Sequence, residues 1–477
     1  MVGLLEVQKE ALRIAKDKRG FGYWMDMGLG KTLTALVEFR QMVDEGKATR
    51  LVVVCPNTFK SGWRTEIEKH GIEVDPWIYE SGGDNDKFLK KSFTKPPVLI
   101  VNYEAIRRPN CQLYIDHFTQ RRKCVLALDE SIQIKTHNSQ QTKAAIKISY
   151  WFQYIRLLTG KPSTQGPHDL WAQLKIIGAT NMNFWAFRNT FCRMGGYLNK
   201  KVVGVQNEEY LASIINPHVF RATKDQWTDL PPKLYTTRYV EMTAAQRNQY
   251  EAMEEEFVVW LKSGEEISVD MAITKHIKLA QIQFGFIINE NGDTRILVEA
   301  EKNPRVNAIR EIIDTEVTGK TIVVYHHRYA GMVLQQRMAD YNPTFIRGGM
   351  GPDETAANVK TFNEDDECRV ICIQTTAGRY GHTLLGSKEP ENHCSTMIFA
   401  ENTWSLDTRS QLEDRMHRHG QLGESCLYVD LVSSELDEQI IGALQFKQDI
   451  FNAVMKHVKS QSREDARGYK YPSRSAG

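Results

Sequence analysis

Two short strings in this chain hold residue types that can act on a phosphoanhydride. MDMGLGKT, residues 25–32, follows the apolar FGYWM and precedes LTALVEF, which has helical patterning. A strand, a glycine loop and a helix start together present backbone N–H groups and the positive end of a helix dipole to an anion. Gly28, Leu29 and Gly30 form the expected cradle, Lys31 reaches the β- and γ-phosphates, and the Thr32 hydroxyl is the expected magnesium ligand. Met25 stands where the strict phosphate-loop pattern has its first glycine.

The second string, VLALDE, residues 125–130, is an apolar run that ends in two acids. Asp129 would emerge at the carboxyl end of a strand, the edge where open α/β sheets bind ligands. There it would orient Mg2+, while Glu130 would polarise an attacking water as general base. An Asp-Glu pair after an apolar run is also a common helix start that favours the helix dipole. The GKT loop, about a hundred residues upstream, turns the balance toward a phosphate-loop ATPase, which needs a second magnesium partner.

These side chains need strands and helices to hold them. LVVVC (51–55), VLIV (98–101) and CVLAL (124–128) read as buried parallel strands, with ALVEFRQMVDEG and NSQQTKAAIKISYWF as crossing helices. The alternation predicts a doubly wound α/β lobe over 1–235. DLPPKL interrupts it, and 236–300 becomes helical and charged, so a helical connector is expected there. TIVVYH (321–326), RVICIQ (369–374), TMIFA (396–400) and CLYVDLV (426–432) then predict a second α/β lobe over 301–455. Residues 456–477 form a basic polar tail, read as a frayed end.

Composition narrows the function classes. Lys plus Arg is 61 against 59 for Asp plus Glu, a net charge of +2, so any nucleic-acid surface must be local. The eight cysteines are scattered and several sit in apolar runs, which favours buried reduced thiols over disulfides or zinc. The N-terminus lacks the apolar core of a signal peptide, and no apolar run approaches about 18 residues, so a soluble intracellular chain is expected.

Taken in order, the motifs resemble those of the Swi/Snf-type ATPases, the double-stranded-DNA translocases of helicase superfamily two. Gln8 in LLEVQKEAL resembles the family's adenine-sensing glutamine, and the family's phosphate loop also lacks the first glycine. LVVVCPNTFKSGWRTEIEK (51–69) and VLIVNYEAI (98–106) are similar to its DNA-backbone segments, DESIQIKT to its acidic box, and RLLTGKPSTQGPHDLW (156–171) to its coupling motif. VFRATKDQWTDLPPKL, KTIVVYHHR, QTTAGRYGHTLL and NTWSLDTRSQLEDRMHRHGQ follow in family order.

The resemblance implies two RecA-like lobes and ATP with Mg2+ as substrate and cofactor. It implies Arg415 and Arg418 as cations for the transferred phosphoryl group, expected on one helix face. Gln421, in the same string, joins the expected nucleotide-binding residues. The DNA side should be phosphate-directed, through Asn57, Lys60, Asn102, Lys161, Thr375, the backbone near Gly378, and Trp404, because a motor that moves along any sequence cannot depend on base edges.

A monomeric DNA-stimulated ATPase that translocates on duplex DNA, including forked or branched DNA, is therefore expected, with no membrane partner. The bare core suits a bacterial or phage cytoplasm, or a nucleus if the source is eukaryotic. A strand-separating helicase on single-stranded DNA or RNA, and an ATP-switched DNA clamp, are the alternatives.

Five positions depart from the family pattern. Ile132 replaces the box histidine, Thr136 an asparagine, Lys161 a threonine, and Arg379 with Tyr380 a Gly-Leu pair. They fall on the layer that couples ATP to DNA and leave Lys31, Thr32, Asp129, Glu130, Arg415 and Arg418 intact. Isoleucine cannot make the histidine's hydrogen bond. Ile132→His is therefore expected to leave basal ATP turnover unchanged and to alter its stimulation by duplex DNA. Turnover with and without duplex, compared between variant and wild type, checks this; an unchanged stimulation ratio would count against it.

Overall fold

The computed structural model describes residues 3–83, 85–196, 201–262, 269–289, 291–377 and 382–462. The chain divides into two compact units, Met1–Asp229 together with Lys447–Gly477, and Leu230–Phe446.

The first unit is built on seven parallel strands: β1 (Gly20–Met25), β2 (Arg50–Cys55), β3 (Asp75–Ile78), β4 (Pro97–Asn102), β5 (Cys124–Asp129), β6 (Tyr154–Thr159) and, after a small hairpin of β7 (Cys192–Gly195) and β8 (Lys201–Val205), β9 (Val219–Ala222). Their spatial order is β3-β4-β2-β5-β6-β1-β9. Side chains alternate between two apolar layers. Val52, Val54, Leu126 and Leu128 face one layer, and Leu51, Val53, Val125 and Ala127 the other. Helices must cover both faces of such a sheet, and this is why its strands read as continuous apolar runs.

The second unit repeats the plan. After β10 (Lys233–Tyr239) and the hairpin β11 (Phe286–Ile288) with β12 (Thr294–Ile296) come β13 (Lys320–Tyr325), β14 (Thr344–Ile346), β15 (Val370–Gln374), β16 (Cys394–Phe399) and β17 (Cys426–Val432). The parallel order is β10-β17-β16-β13-β15-β14. Val323, Cys372 and Ile398 pack on one face, and Ile322, Ile371 and Met397 on the other.

The units divide differently from the sequence expectation in two places. Residues 236–300 do not stand apart, because β10 pairs with β17 over its whole length and the helices Ala244–Lys262 and Val269–Gln283 follow within the second unit. The helix Glu435–Met455 passes from one unit's count to the other's at Phe446 and Lys447. Its Ile450, Val454 and Met455, with Val458 beyond it, belong to the first unit's core. Arg221 Nη1 donates to the carbonyls of Met455 (3.1 Å) and Val458 (3.2 Å), and Trp227 Nε1 to that of Gln461 (2.6 Å). The start of the expected frayed tail is thus docked; 463–477 lie outside the described residues.

Beneath the helix Lys31–Asp44 a charged network is sealed in the core. Arg156 donates through Nε and Nη2 to the two oxygens of Glu38, at 2.7 and 2.6 Å, and the Tyr23 hydroxyl donates to the same carboxylate at 2.7 Å. Arg156 is 1% exposed. Removing one partner leaves a buried charge uncompensated, so Arg156→Leu should destabilise the protein by about 3–5 kcal/mol. A urea denaturation midpoint indistinguishable from wild type would overturn this expectation.

Candidate active site

The strand order places the chemistry. The phosphate loop follows β1, the acids follow β5, and the segment after β6, which lies between them, is the GKPST coupling loop. All three leave the carboxyl edge of one sheet.

Gly28 and Gly30 take positive φ, 88° and 79°, a region in which side chains with a Cβ are strained. A Cβ on Gly30 would also lie 2.1 Å from Gln8 Nε2. Gln8, 2% exposed, donates from Nε2 to the Gly30 carbonyl at 3.1 Å and accepts the Leu5 N–H at 2.8 Å. The glutamine is therefore tied directly to the loop. Leu29 is buried below it. Lys31 opens the helix and turns its ammonium back to the Met25 carbonyl at 2.8 Å, so the position without a glycine contributes a backbone acceptor. Thr32 is half-buried on the first turn of the same helix.

Asp129 is 6% exposed. Its Oδ2 accepts the Trp63 indole N–H at 2.8 Å, its Oδ1 the Glu130 backbone N–H at 3.0 Å, and its carbonyl the Tyr103 hydroxyl at 2.9 Å. Burial pushes the carboxyl above the ordinary carboxylate value, while Trp63, Lys31 and the Glu130 N–H pull the other way by favouring the anion. Glu130 is buried and sits in the left-handed region, φ 48° and ψ 55°, with no glycine to ease it. Such backbone strain costs on the order of 1–3 kcal/mol and gathers at functional sites.

Ile132 is buried, 2% exposed. The polar link from the acidic box to the coupling loop runs through its neighbour: Ser131 Oγ donates to Gln173 Oε1 at 2.8 Å, and Gln173 Nε2 donates to the Pro162 carbonyl at 2.7 Å. Lys135 reaches Thr164 Oγ1 at 3.0 Å. On the loop's other side, a Cβ on Gly160 would lie 3.4 Å from the Met25 carbonyl oxygen. Lys161 turns to the docked C-terminal helix, donating to Gln448 Oε1 at 3.0 Å and lying over the Phe451 ring.

Asn57, exposed, and Lys60, half-buried, stand beyond β2; Asn102 ends the paired strand β4 and donates to Glu104 at 2.7 Å. Lys60 also begins the helix Lys60–Lys69 that carries Trp63. The sequence shows the segments holding Trp63 and Tyr103 but not their grip on Asp129, because hydrogen bonds between segments distant in sequence leave no local pattern.

The second unit holds the other expected residues. Thr375, 2% exposed, has its Oγ1 2.6 Å from His326 Nδ1 at the ends of β15 and β13. Trp404 is 41% exposed and meets the His276 ring edge-on. Arg415 and Arg418 do not share a helix face: the helix Leu406–Glu413 ends before them, leaving Arg415 in a turn and Arg418 in a bend. Arg415 is 1% exposed, and Arg418 donates to the Asp414 carbonyl and to Thr383 Oγ1, each at 2.7 Å. Gln421 spends both ends of its amide inside this unit, on the Cys394 and Met416 carbonyls and on the Gly423 N–H. Gly378, Arg379 and Tyr380 lie outside the described residues.

The donor set fits a magnesium nucleotide: a glycine-lined run of N–H groups for phosphates, with a hydroxyl at Thr32 and a carboxylate at Asp129 as hard oxygen ligands. All eight cysteines are buried and free, and no cluster of three or more His, Cys, Asp or Glu side chains suited to a metal occurs among the described residues.

A parallel sheet with a phosphate loop after one strand and an Asp-Glu pair two strands away defines a phosphate-loop nucleotide-binding domain, followed here by a second unit of the same build. The chain belongs to the SNF2-related family: residues 24–284 match the SNF2-related domain, and residues 304–420 match the helicase conserved C-terminal domain. It is 25% identical to the TATA-binding protein-associated factor BTAF1 of Arabidopsis thaliana, over 90% of this chain and 24% of that protein. It is likewise 25% identical to a Drosophila melanogaster SWI/SNF-related matrix-associated actin-dependent regulator of chromatin subfamily A-like protein 1, over 90% of this chain and 53% of the other. Identity to the human DNA annealing helicase and endonuclease ZRANB3 is 23%, over 96% and 41%. The chain thus spans about a quarter to a half of these relatives. The Sulfolobus solfataricus SWI2/SNF2 ATPase core in complex with dsDNA aligns at 21% identity over 96% of this chain and 92% of that one, with a TM-score of 0.41.

Trp63→Phe keeps an aromatic ring and deletes the N–H that favours the Asp129 anion. The carboxyl then rises further, so the acid limb of the ATP turnover profile should move to higher pH. The variant should lose more turnover at pH 6 than at pH 8; parallel profiles would exclude the role.

Proposed function

We propose that this chain is a DNA-stimulated ATPase that moves along duplex DNA. The observation that carries the reading is the double tether on Asp129. The acid that suits magnesium is held by Trp63 and Tyr103, which lie on the two segments that also bear Asn57, Lys60 and Asn102. A phosphate bound on those segments and a nucleotide on the phosphate loop then bear on one residue, its carboxylate through Trp63 and its carbonyl through Tyr103.

In this reading Lys31 and the Gly28–Gly30 amides hold the β- and γ-phosphates, and Gln8 senses the base while fixing the loop. Glu130 accepts a proton from the water that attacks the γ-phosphorus, and ADP leaves. Thr32 and Asp129 would hold Mg2+, which when bound neutralises charge on the phosphates. Arg415 and Arg418 supply further positive charge to the transferred group. Binding of DNA is phosphate-directed and so independent of base sequence. The substrates in the cell are protein–DNA complexes or DNA structures such as forks. No helix among the described residues is long and apolar enough to cross a membrane.

The test compares ATP turnover without nucleic acid and with single-stranded DNA, duplex, forked DNA and RNA. Duplex should stimulate most. Triplex displacement without unwinding of a forked duplex supports translocation; unwinding without displacement supports a strand-separating helicase instead. Glu130→Gln should cut turnover by about 10²–10⁴-fold and abolish displacement. A variant that instead gained persistence and function on DNA would point to an ATP-switched clamp.

A further inference from the structure

Phosphate contacts explain a motor on duplex DNA, but one face of the first unit is built for something else. Trp185, on the helix Phe184–Phe191, is 58% exposed although it belongs to a packed aromatic group. The His137 ring lies flat on Phe184, centroids 3.5 Å apart and planes within 5°, and presents its edge to Trp185 at 5.7 Å. Phe184 in turn meets Trp171 and Trp185 edge-on at 5.6 and 5.2 Å. The stack anchors Trp185 from behind and leaves more than half of it in water.

Two cations lie against the stack. Arg188 lies over Trp185 at 5.2 Å, and Lys175 over Trp171 at 5.6 Å. Burial and then His168, Lys143 and Arg188 push His137 below its ordinary value, so its ring is neutral at pH 7 and its surroundings are positive. Asp169, the acid that acts on His168, is 1% exposed and spends its carboxylate on the Thr164 and Gln165 N–H groups. The hairpin that follows adds exposed Arg193 and Lys201. A tryptophan held rigidly, cations within reach of a backbone, and Asn181, Asn183 and Asn189 exposed on the same segment are the chemistry of a base-stacking platform for a single strand.

We propose that Trp185 and Arg188 form a second nucleic-acid site, distinct from the duplex-facing segments, that takes an unpaired DNA strand by stacking its bases on the indole and pairing its phosphates with Arg188, Lys143 and the hairpin cations. The site sits on the chain that runs on from the acidic box through His137, and next to the helix Trp171–Ile176 whose Gln173 is bonded to Ser131. It gives a motor on duplex DNA a place for the strand that a fork or bubble leaves open.

The experiment measures binding of a fluorescent oligothymidylate, and of an abasic oligomer of equal length, to the full chain at fixed salt. Duplex-stimulated ATP turnover and sedimentation are followed in the same samples. Trp185→Ala should weaken oligothymidylate binding at least about tenfold, Trp185→Phe should retain most of it, and wild type should prefer the oligomer with bases. Duplex-stimulated turnover should be unchanged in both variants. Equal binding by wild type and Trp185→Ala, or equal binding of the abasic oligomer, overturns the proposal; if only sedimentation changes, the face is a protein contact. Absence of duplex stimulation in wild type would overturn the motor reading while leaving the oligomer comparison to decide this one.

Discussion

A carboxylate sealed inside a sheet edge must be stabilised by donors or it takes up a proton, and Asp129 obtains its donors from far along the chain. The Trp63 indole, the Glu130 N–H and the Lys31 charge offset the loss of water. Because Trp63 sits on the helix that starts at Lys60, satisfying the acid also fixes that helix against β5. Because Tyr103 follows β4 and bonds the Asp129 carbonyl, the end of a third strand is fixed as well. Asp129 is thereby the node at which the glycine loop and the segments after β2 and β4 are held in one geometry.

The coupling loop shows how the same economy extends sideways. It packs against the phosphate-loop backbone at Gly160 and is bonded to the acidic box through Ser131 and Gln173. Ile132 puts an apolar side chain into a buried position, where an unpaired imidazole would have carried a desolvation penalty. The polar link to the coupling loop in this chain runs through the adjacent Ser131 and Gln173.

Much of this was legible in the residues. Strands such as LVVVC and VICIQ are apolar on both faces because both faces are covered, and that pattern survives without any knowledge of the fold. The phosphate loop and acidic pair announce themselves because their backbone and charge requirements are local. What stayed hidden was whatever depends on partners distant in sequence. β10 is exposed along most of its length, and so carries no apolar run. Arg415 and Arg418 have helical spacing, yet the helix stops at Glu413. Lys161 looked outward until the Gln448 and Phe451 side chains, more than half the chain away, were placed beside it.

The docking of residues 447–462 sets an order of events during synthesis. Arg221 and Trp227 are made before the second unit, but their carbonyl partners at Met455, Val458 and Gln461 leave the ribosome after it. At about 5–20 residues per second, the first unit must wait on the order of ten seconds or more with the edge at β9 and the apolar seat for Ile450 and Val454 uncovered. The β9 edge and the seat for Ile450 and Val454 are thus closed only after the whole second unit has been made.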